Sequence, residues 1–150
     1  MTVSKPPRVP FETTSLVRDT CLCLHTQRAA RALARRFDEV FRPLGLTSGQ
    51  FSLLMALNRP EPAPMGPVAY LLAMDRTTLT AALKPLERRG LVRAGPNPAD
   101  RRERLLALTP EGEALLERAV PVWERTHAAV ELVSGAPDAN SLRSGLRALR

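Results

Sequence analysis

The stretch "DRTTLTAALKPLERRGLVRAGPNPADRRERLLALTPEG", Asp75–Gly112, constrains the fold more than any other part of the chain. Asp75 is suited to cap a helix, because a carboxylate there accepts from the unpaired N–H groups of the first turn. "RTTLTAALKPLERR" continues helically until Gly90, a residue type that readily takes the left-handed turn after a helix. The period then changes. "LVRA" and "RLLALT" are short and strand-like, and the polar "GPNPADRRE" lies between them, which predicts a hairpin with a long, charged tip. Thr109, Pro110 and Glu111 follow as an N-cap, a first-turn proline and an acid facing the helix dipole.

Upstream, Leu33, Phe37, Val40, Phe41 and Leu44 recur on one face of a long helix that begins near Ser15 and stops at Pro43 and Gly45. Residues 1–14 contain three prolines and little periodicity, so an extended arm is expected there. In "LTSGQFSLLMAL" Thr47 and Gln50 form a capping box, which leaves Phe51, Leu54 and Met55 to line a buried face. "NRPEPAP" reads only as a loop, and a short helix over roughly Gly66–Leu72 precedes Asp75. After Thr109, Leu115, Ala119, Val122, Thr126 and Val130 carry a second long helix, with a bend expected at Pro121. "SGAPDANS" breaks it, and Leu142, Leu146 and Leu149 mark a short terminal helix. A helix-turn-helix followed by a β-hairpin is a winged helix, so the expected class is mainly α with a small β-hairpin wing.

The chemistry agrees with that shape. The 150 residues carry a formal net charge of +7, which favours a polyanionic partner. In a helix-turn-helix the second helix enters the major groove with its N-terminal residues on base edges. Here those residues are Arg76, Thr77, Thr78 and Thr80. Arg pairs bidentately with guanine, and Thr takes either hydrogen-bond role or touches the thymine methyl. Lys84, further along, is placed for phosphate. At the hairpin tip Arg101 and Arg102 can reach an adjacent minor groove, with Asp100 expected to hold an arginine, Arg102, in place. A solvated amphipathic helix and an ordinary charged turn are the plainer alternatives.

The Asp75–Gly112 stretch resembles the MarR family of bacterial transcription regulators, through "LERRGLV", the "DRR" wing and the "L-T-x-x-G" that follows it. "FRPLGLTSGQF" upstream extends the resemblance to about residues 16–130. It implies an obligate homodimer, triangular in outline, whose two winged lobes address a palindromic operator on double-stranded DNA. On that basis residues 15–46 and 109–150 form a helical dimerisation region around a winged helix-turn-helix at 47–108. The chain also departs from the family. Ala81 and Ala82 stand where polar or basic residues are common, Pro85 interrupts the recognition helix, and the turn "AMD" lacks a glycine.

The resemblance further implies release of DNA on binding a small molecule or on cysteine oxidation. By position, Arg28, Phe37, Phe51 and Trp123 are candidate walls of a pocket for a small aromatic or phenolic ligand, although plain core or dimer interface is the commoner use of such residues. Cys21 and Cys23 are the redox candidates. Two thiols two residues apart on a helix are poorly set for a mutual disulfide, and core cysteines are the default. Cys21 and His25 share a helix face, but a metal site needs further ligands, so neither metal nor cofactor is expected.

With no export signal, no apolar run approaching the ~20 residues of a membrane span and two cysteines without metal-ligand spacing, a cytoplasmic protein without membrane partners is expected. No phosphate-cradling glycine loop, HExxH or GxSxG occurs, so the chain does not read as an enzyme. The alternatives are an RNA-binding protein or a basic helical interaction module. Aromatic residues make up only 4% of the chain, which disfavours RNA modules that stack bases.

Overall fold

The computed structural model describes residues 8–133 and 138–149, and the chain divides into two compact units, Met1–Arg36 and Phe37–Arg150. The start of the expected arm and part of the "SGAPDANS" break lie outside the described residues.

The first unit contains α1 (Phe11–Thr20) and most of α2 (Leu22–Phe41). Helix therefore begins at Phe11, four residues before Ser15 and inside the expected extended arm. Pro10 keeps an extended backbone (φ −59°, ψ 147°) immediately before it, and Glu12 sits in the first turn, where the helix dipole favours an acid. The expected single helix is also divided. Cys21 adopts ψ 108°, and its Sγ accepts from the Leu24 N–H at 3.4 Å, so the thiol acts as a cap where α2 starts.

The second unit takes up the chain at Phe37. The last turn of α2 passes into a 3-10 turn at Arg42–Leu44, which ends at Gly45 in the left-handed region (φ 65°). Next comes α3 (Ser48–Leu57), with the capping box as expected: the Gln50 N–H donates to Thr47 Oγ1 at 3.2 Å, and the Thr47 N–H donates to Gln50 Oε1 at 3.1 Å. Asp38 adds a cap from α2, accepting from the Ser48 N–H at 2.6 Å. After α3 come β1 (Ala63–Pro64), α4 (Met65–Leu72), α5 (Arg76–Arg88), β2 (Val92–Pro96), β3 (Arg104–Leu108), α6 (Pro110–Val133) and α7 (Ala139–Ala148).

The expected hairpin is β2–β3, pairing antiparallel from Val92 with Leu108 to Pro96 with Arg104. The sheet has a third strand, β1, on the other side of β3. It comes from the "NRPEPAP" segment that reads only as a loop. Pro64 cannot donate a ladder bond, and it is accommodated because β1 is short and lies at the sheet edge.

Leu79, Leu83 and Leu86 of α5 are buried in a core with Phe41, Leu53, Leu54, Leu57, Val68, Leu106, Leu115 and Ala119. No buried polar or charged residue interrupts this core among the described residues. The joint between wing and α6 explains the "L-T-x-x-G" motif. The Thr109 N–H donates to the Leu91 carbonyl at 3.1 Å, and its hydroxyl donates to the Gly90 carbonyl. Thr109 Oγ1 then accepts from the Gly112 N–H at 3.1 Å. A Cβ on Gly112 would lie 2.1 Å from the Leu91 carbonyl oxygen, so only glycine fits. α6 runs without a break through Pro121.

Candidate nucleic-acid interface and ligand pocket

The turn between α4 and α5 sets the direction of the candidate recognition helix. Ala73 occupies the left-handed region (φ 52°), the place that glycine takes at lower cost, and it is the one non-glycine with positive φ among the described residues. The Met74 N–H donates to the Ala69 carbonyl at 2.9 Å and closes the turn. Asp75 then caps α5 as expected, accepting from the Thr78 N–H at 2.7 Å and from the Thr78 hydroxyl at 3.0 Å. The backbone N–H of Thr78, and after it the Thr78 hydroxyl, hold the Asp75 carboxyl below the usual carboxylate range.

With Leu79, Leu83 and Leu86 turned into the core, the opposite face of α5 is exposed. Thr77, Ala81, Lys84 and Arg88 fall within an arc of about 60° on it, because each residue turns the helix by about 100°. Thr80 flanks this stripe, while Arg76 and Thr78 lie toward its two sides. All seven are exposed. The Arg76 guanidinium leans toward α4, where a Cβ on Gly66 would lie 3.9 Å from Nη2. The Thr80 hydroxyl donates to the Arg76 carbonyl at 2.7 Å. Arg88 escaped the sequence reading, although counting from the buried leucines places it on the same stripe as Thr77 and Lys84.

The wing tip is ordered by side chains that imitate turns. Asn97 Oδ1 accepts from the Ala99 N–H at 2.9 Å, and its amide donates to Glu103 Oε2 at 3.2 Å. Asp100 corrects the sequence expectation. Its carboxylate accepts from the Arg102 backbone N–H at 2.9 Å, and no guanidinium pairs with it among the described residues. An Asx turn satisfies the carboxylate locally, so the Arg101 and Arg102 guanidiniums remain exposed at the tip. Arg104 lies 3.9 Å from Glu87, an exposed contact between wing and α5 worth little by itself.

A second feature lies within the same unit. Phe51, Ser52, Met55 and Ala56 of α3, Leu71 and Leu72 of α4, and Val120 and Trp123 of α6 line a pocket of about 440 Å³. Of the candidate pocket residues, Phe51 and Trp123 meet there, stacked with centroids 6.4 Å apart. Phe37 does not line the pocket; its ring meets Phe41, which stacks on Phe51 at 4.7 Å. Arg28 is exposed on the first unit's part of α2. Beyond Trp123 the ring of His127 stacks at 4.7 Å. Ser52, Met55, Leu71, Leu72 and Val120 were not anticipated, since nothing in the sequence shows that the end of α4 faces α6.

Both cysteines are free. Cys21 stands outside α2 as its cap, so the helical spacing that argued against a mutual disulfide does not apply to it. Cys23 Sγ accepts from the Gln27 amide at 3.1 Å. His25 Nδ1 lies 2.8 Å from the Cys21 carbonyl oxygen rather than on a shared ligand. No cluster of metal-ligating side chains occurs among the described residues, and no helix there is long and apolar enough to cross a membrane.

A capped second helix with a basic outer face, followed by an arginine-tipped hairpin, defines a winged helix-turn-helix. Residues 46–103 match the MarR family. The chain is 37% identical over 76 residues to the HTH-type transcriptional repressor NicR of Pseudomonas putida, a match covering 51% of this chain and 48% of that protein. The chain thus spans about half of NicR's length. The transcriptional regulator MosR of M. tuberculosis, solved in complex with DNA, superposes with a TM-score of 0.76 at 35% identity, over 87% of this chain and 93% of that one. CouR of Rhodococcus jostii RHA1, solved bound to p-coumaroyl-CoA, gives a TM-score of 0.73 at 25% identity, over 87% and 92% of the two chains. The chain belongs to the MarR family of transcriptional regulators. NicR and MosR are transcriptional regulators.

Proposed function

We propose that this protein is a cytoplasmic, homodimeric transcription regulator that binds a palindromic operator in double-stranded DNA and acts as a repressor. The observation that carries this reading is the exposed face of α5, basic at Lys84 and Arg88, followed by a wing whose Arg101 and Arg102 are unpaired among the described residues. Arg76, Thr77, Thr78 and Thr80 approach bases, Lys84 and Arg88 neutralise phosphates, and Arg101 and Arg102 enter the neighbouring minor groove. Residues 47–108 form the DNA-binding part, with the helices at 15–46 and 109–150 joining two copies. MosR, solved with DNA, and the repressor NicR support the assignment by similarity.

Release follows from a small, flat aromatic or phenolic ligand in the pocket between Phe51 and Trp123. The lining is apolar apart from Ser52, whose hydroxyl suits one polar substituent, and the volume of about 440 Å³ suits a compact ring system. Leu71 and Leu72 line this pocket two residues or fewer from the Ala73 turn that aims α5. A ligand displaces the DNA only if it binds the DNA-free arrangement more tightly. Oxidation is the second trigger to test, because Cys21 and Cys23 are both free thiols and Cys23 is exposed.

Fluorescence anisotropy tests the reading, with duplex DNA from just upstream of the protein's own gene and a scrambled duplex, each at low and high salt. A preference of ~10³-fold or more for the native duplex is the expected result. Equal, salt-sensitive binding to both would favour a basic helical module without a specific operator. Binding to RNA alone would favour the RNA-binding alternative.

A further inference from the structure

Two of the three threonine hydroxyl protons at the start of α5 are engaged locally before any DNA arrives. Thr78 donates its hydroxyl proton to Asp75 at 3.0 Å, and Thr80 donates its own to the Arg76 carbonyl at 2.7 Å. Ala81 has no polar atom in its side chain, yet it is exposed at one edge of the stripe, about 100° round the helix from Thr80. With Oγ1 of Thr80 turned back onto the helix, the methyl is the group that Thr80 presents outward. One turn beyond Thr77, the exposed face therefore presents a methyl group on each flank of the stripe, Thr80 on one side and Ala81 on the other. Of the groups on major-groove base edges, the one that such methyl groups match is the C5-methyl of a pyrimidine.

We infer that α5 selects its operator largely through apolar contact of Thr80 and Ala81 with thymine C5-methyl groups, with hydrogen-bonded readout confined to Arg76 and Thr77. This inference rests on the DNA-binding reading above and specifies which chemistry distinguishes one operator from another. It also accounts for Ala81 in a recognition helix where a polar residue would be the more usual reader. The alanine is itself a contact, and a longer side chain there would hold these methyl groups off the groove floor.

The test uses the full-length protein and a duplex that it selects from a random 30-base-pair pool. Each thymine of that duplex is replaced singly by deoxyuridine, which removes the C5-methyl and preserves Watson–Crick pairing. Losing one buried methyl contact should weaken binding about fourfold, and losing the symmetric pair in both half-sites about fifteenfold. Thr80→Ser keeps the hydroxyl bond and deletes the methyl. In this variant the uracil penalty opposite residue 80 should shrink toward unity. Thr80→Val keeps a methyl and deletes the hydroxyl, and should retain the uracil penalty opposite residue 80. A selected duplex that is bound tightly, with every uracil substitution within twofold, would overturn methyl readout and leave the regulator reading intact. Equal loss in Thr80→Ser and Thr80→Val, with the uracil penalty unchanged, would overturn it as well. Failure to enrich any sequence from the pool would overturn the DNA-binding reading and this inference with it.

Discussion

The winged core of the second unit and the helices at the chain's two ends treat their apolar residues in opposite ways. Leu79, Leu86, Leu54 and Phe41 are fully buried, whereas no residue of α1 or α7 is buried at all. Phe11, Leu16 and Leu22 on the first unit are 61–70% exposed, and Leu142, Leu146 and Leu149 at the C-terminal end are 45–62% exposed. A leucine held in water forgoes about 1.5–3 kcal/mol that burial would supply. The core closes within one chain. The terminal helices carry amphipathic faces that a single chain leaves uncovered, which is the pattern expected of a layer completed by a second copy.

Breaking the closed side of this contrast should have the largest effect. Gly112→Ala drives a Cβ into the Leu91 carbonyl, which is backbone and cannot rotate away. Thermal or urea denaturation should show a loss on the order of 3 kcal/mol or more. Native-like stability would mean that the α6 joint is looser than its geometry implies.

The open side is broken by Leu142→Asp with Leu146→Asp. Both positions are exposed, so helical content should persist by circular dichroism while the dimer dissociates. Operator affinity should then fall about 100-fold or more, because the second half-site no longer binds as a tethered partner. Unchanged affinity would separate DNA binding from these helices.

Arg101→Ala with Arg102→Ala asks whether the wing acts on DNA or only decorates the core. Each lost phosphate contact should flatten the slope of log K against log salt by about 0.9. An unchanged slope would remove the wing tip from the interface.

Two smaller effects sharpen the account of α5. Ala73→Gly relieves a left-handed alanine and should raise stability by about 1 kcal/mol, and no change would mean that the turn holds no such strain. The Asp75 cap predicts a pH dependence. Its carboxyl is depressed in the folded chain by Thr78, so its contribution is fully present above the unfolded value of about 3.9 and is lost as the pH falls through the lower folded value. Asp75→Asn should flatten that acid limb of the stability curve.

What was legible in the sequence follows the same division. Thr47, Asp75 and Thr109 could be read as caps because capping is local chemistry between residues two or three positions apart. The β2–β3 hairpin was legible from its change of period. The strand β1 was not, since Ala63 and Pro64 pair with residues more than forty positions away and Pro64 argues against a strand. Cys21 gave no sign of ending a helix, because a thiol cap has no common sequence signature. Asp100 was assigned to a guanidinium, yet the nearer backbone N–H of Arg102 took the carboxylate first. Of the pocket, only Phe51 and Trp123 were anticipated. Its remaining walls come from α3, α4 and α6 meeting in space, which no local pattern records.

Sedimentation equilibrium of the protein with a fluorescent operator duplex tests the central claim most directly. The account predicts twice the chain mass for the free protein and two chains per duplex in the complex, with both stoichiometries lost in the Leu142→Asp, Leu146→Asp variant. A folded monomer that binds the duplex one to one at full affinity would contradict it.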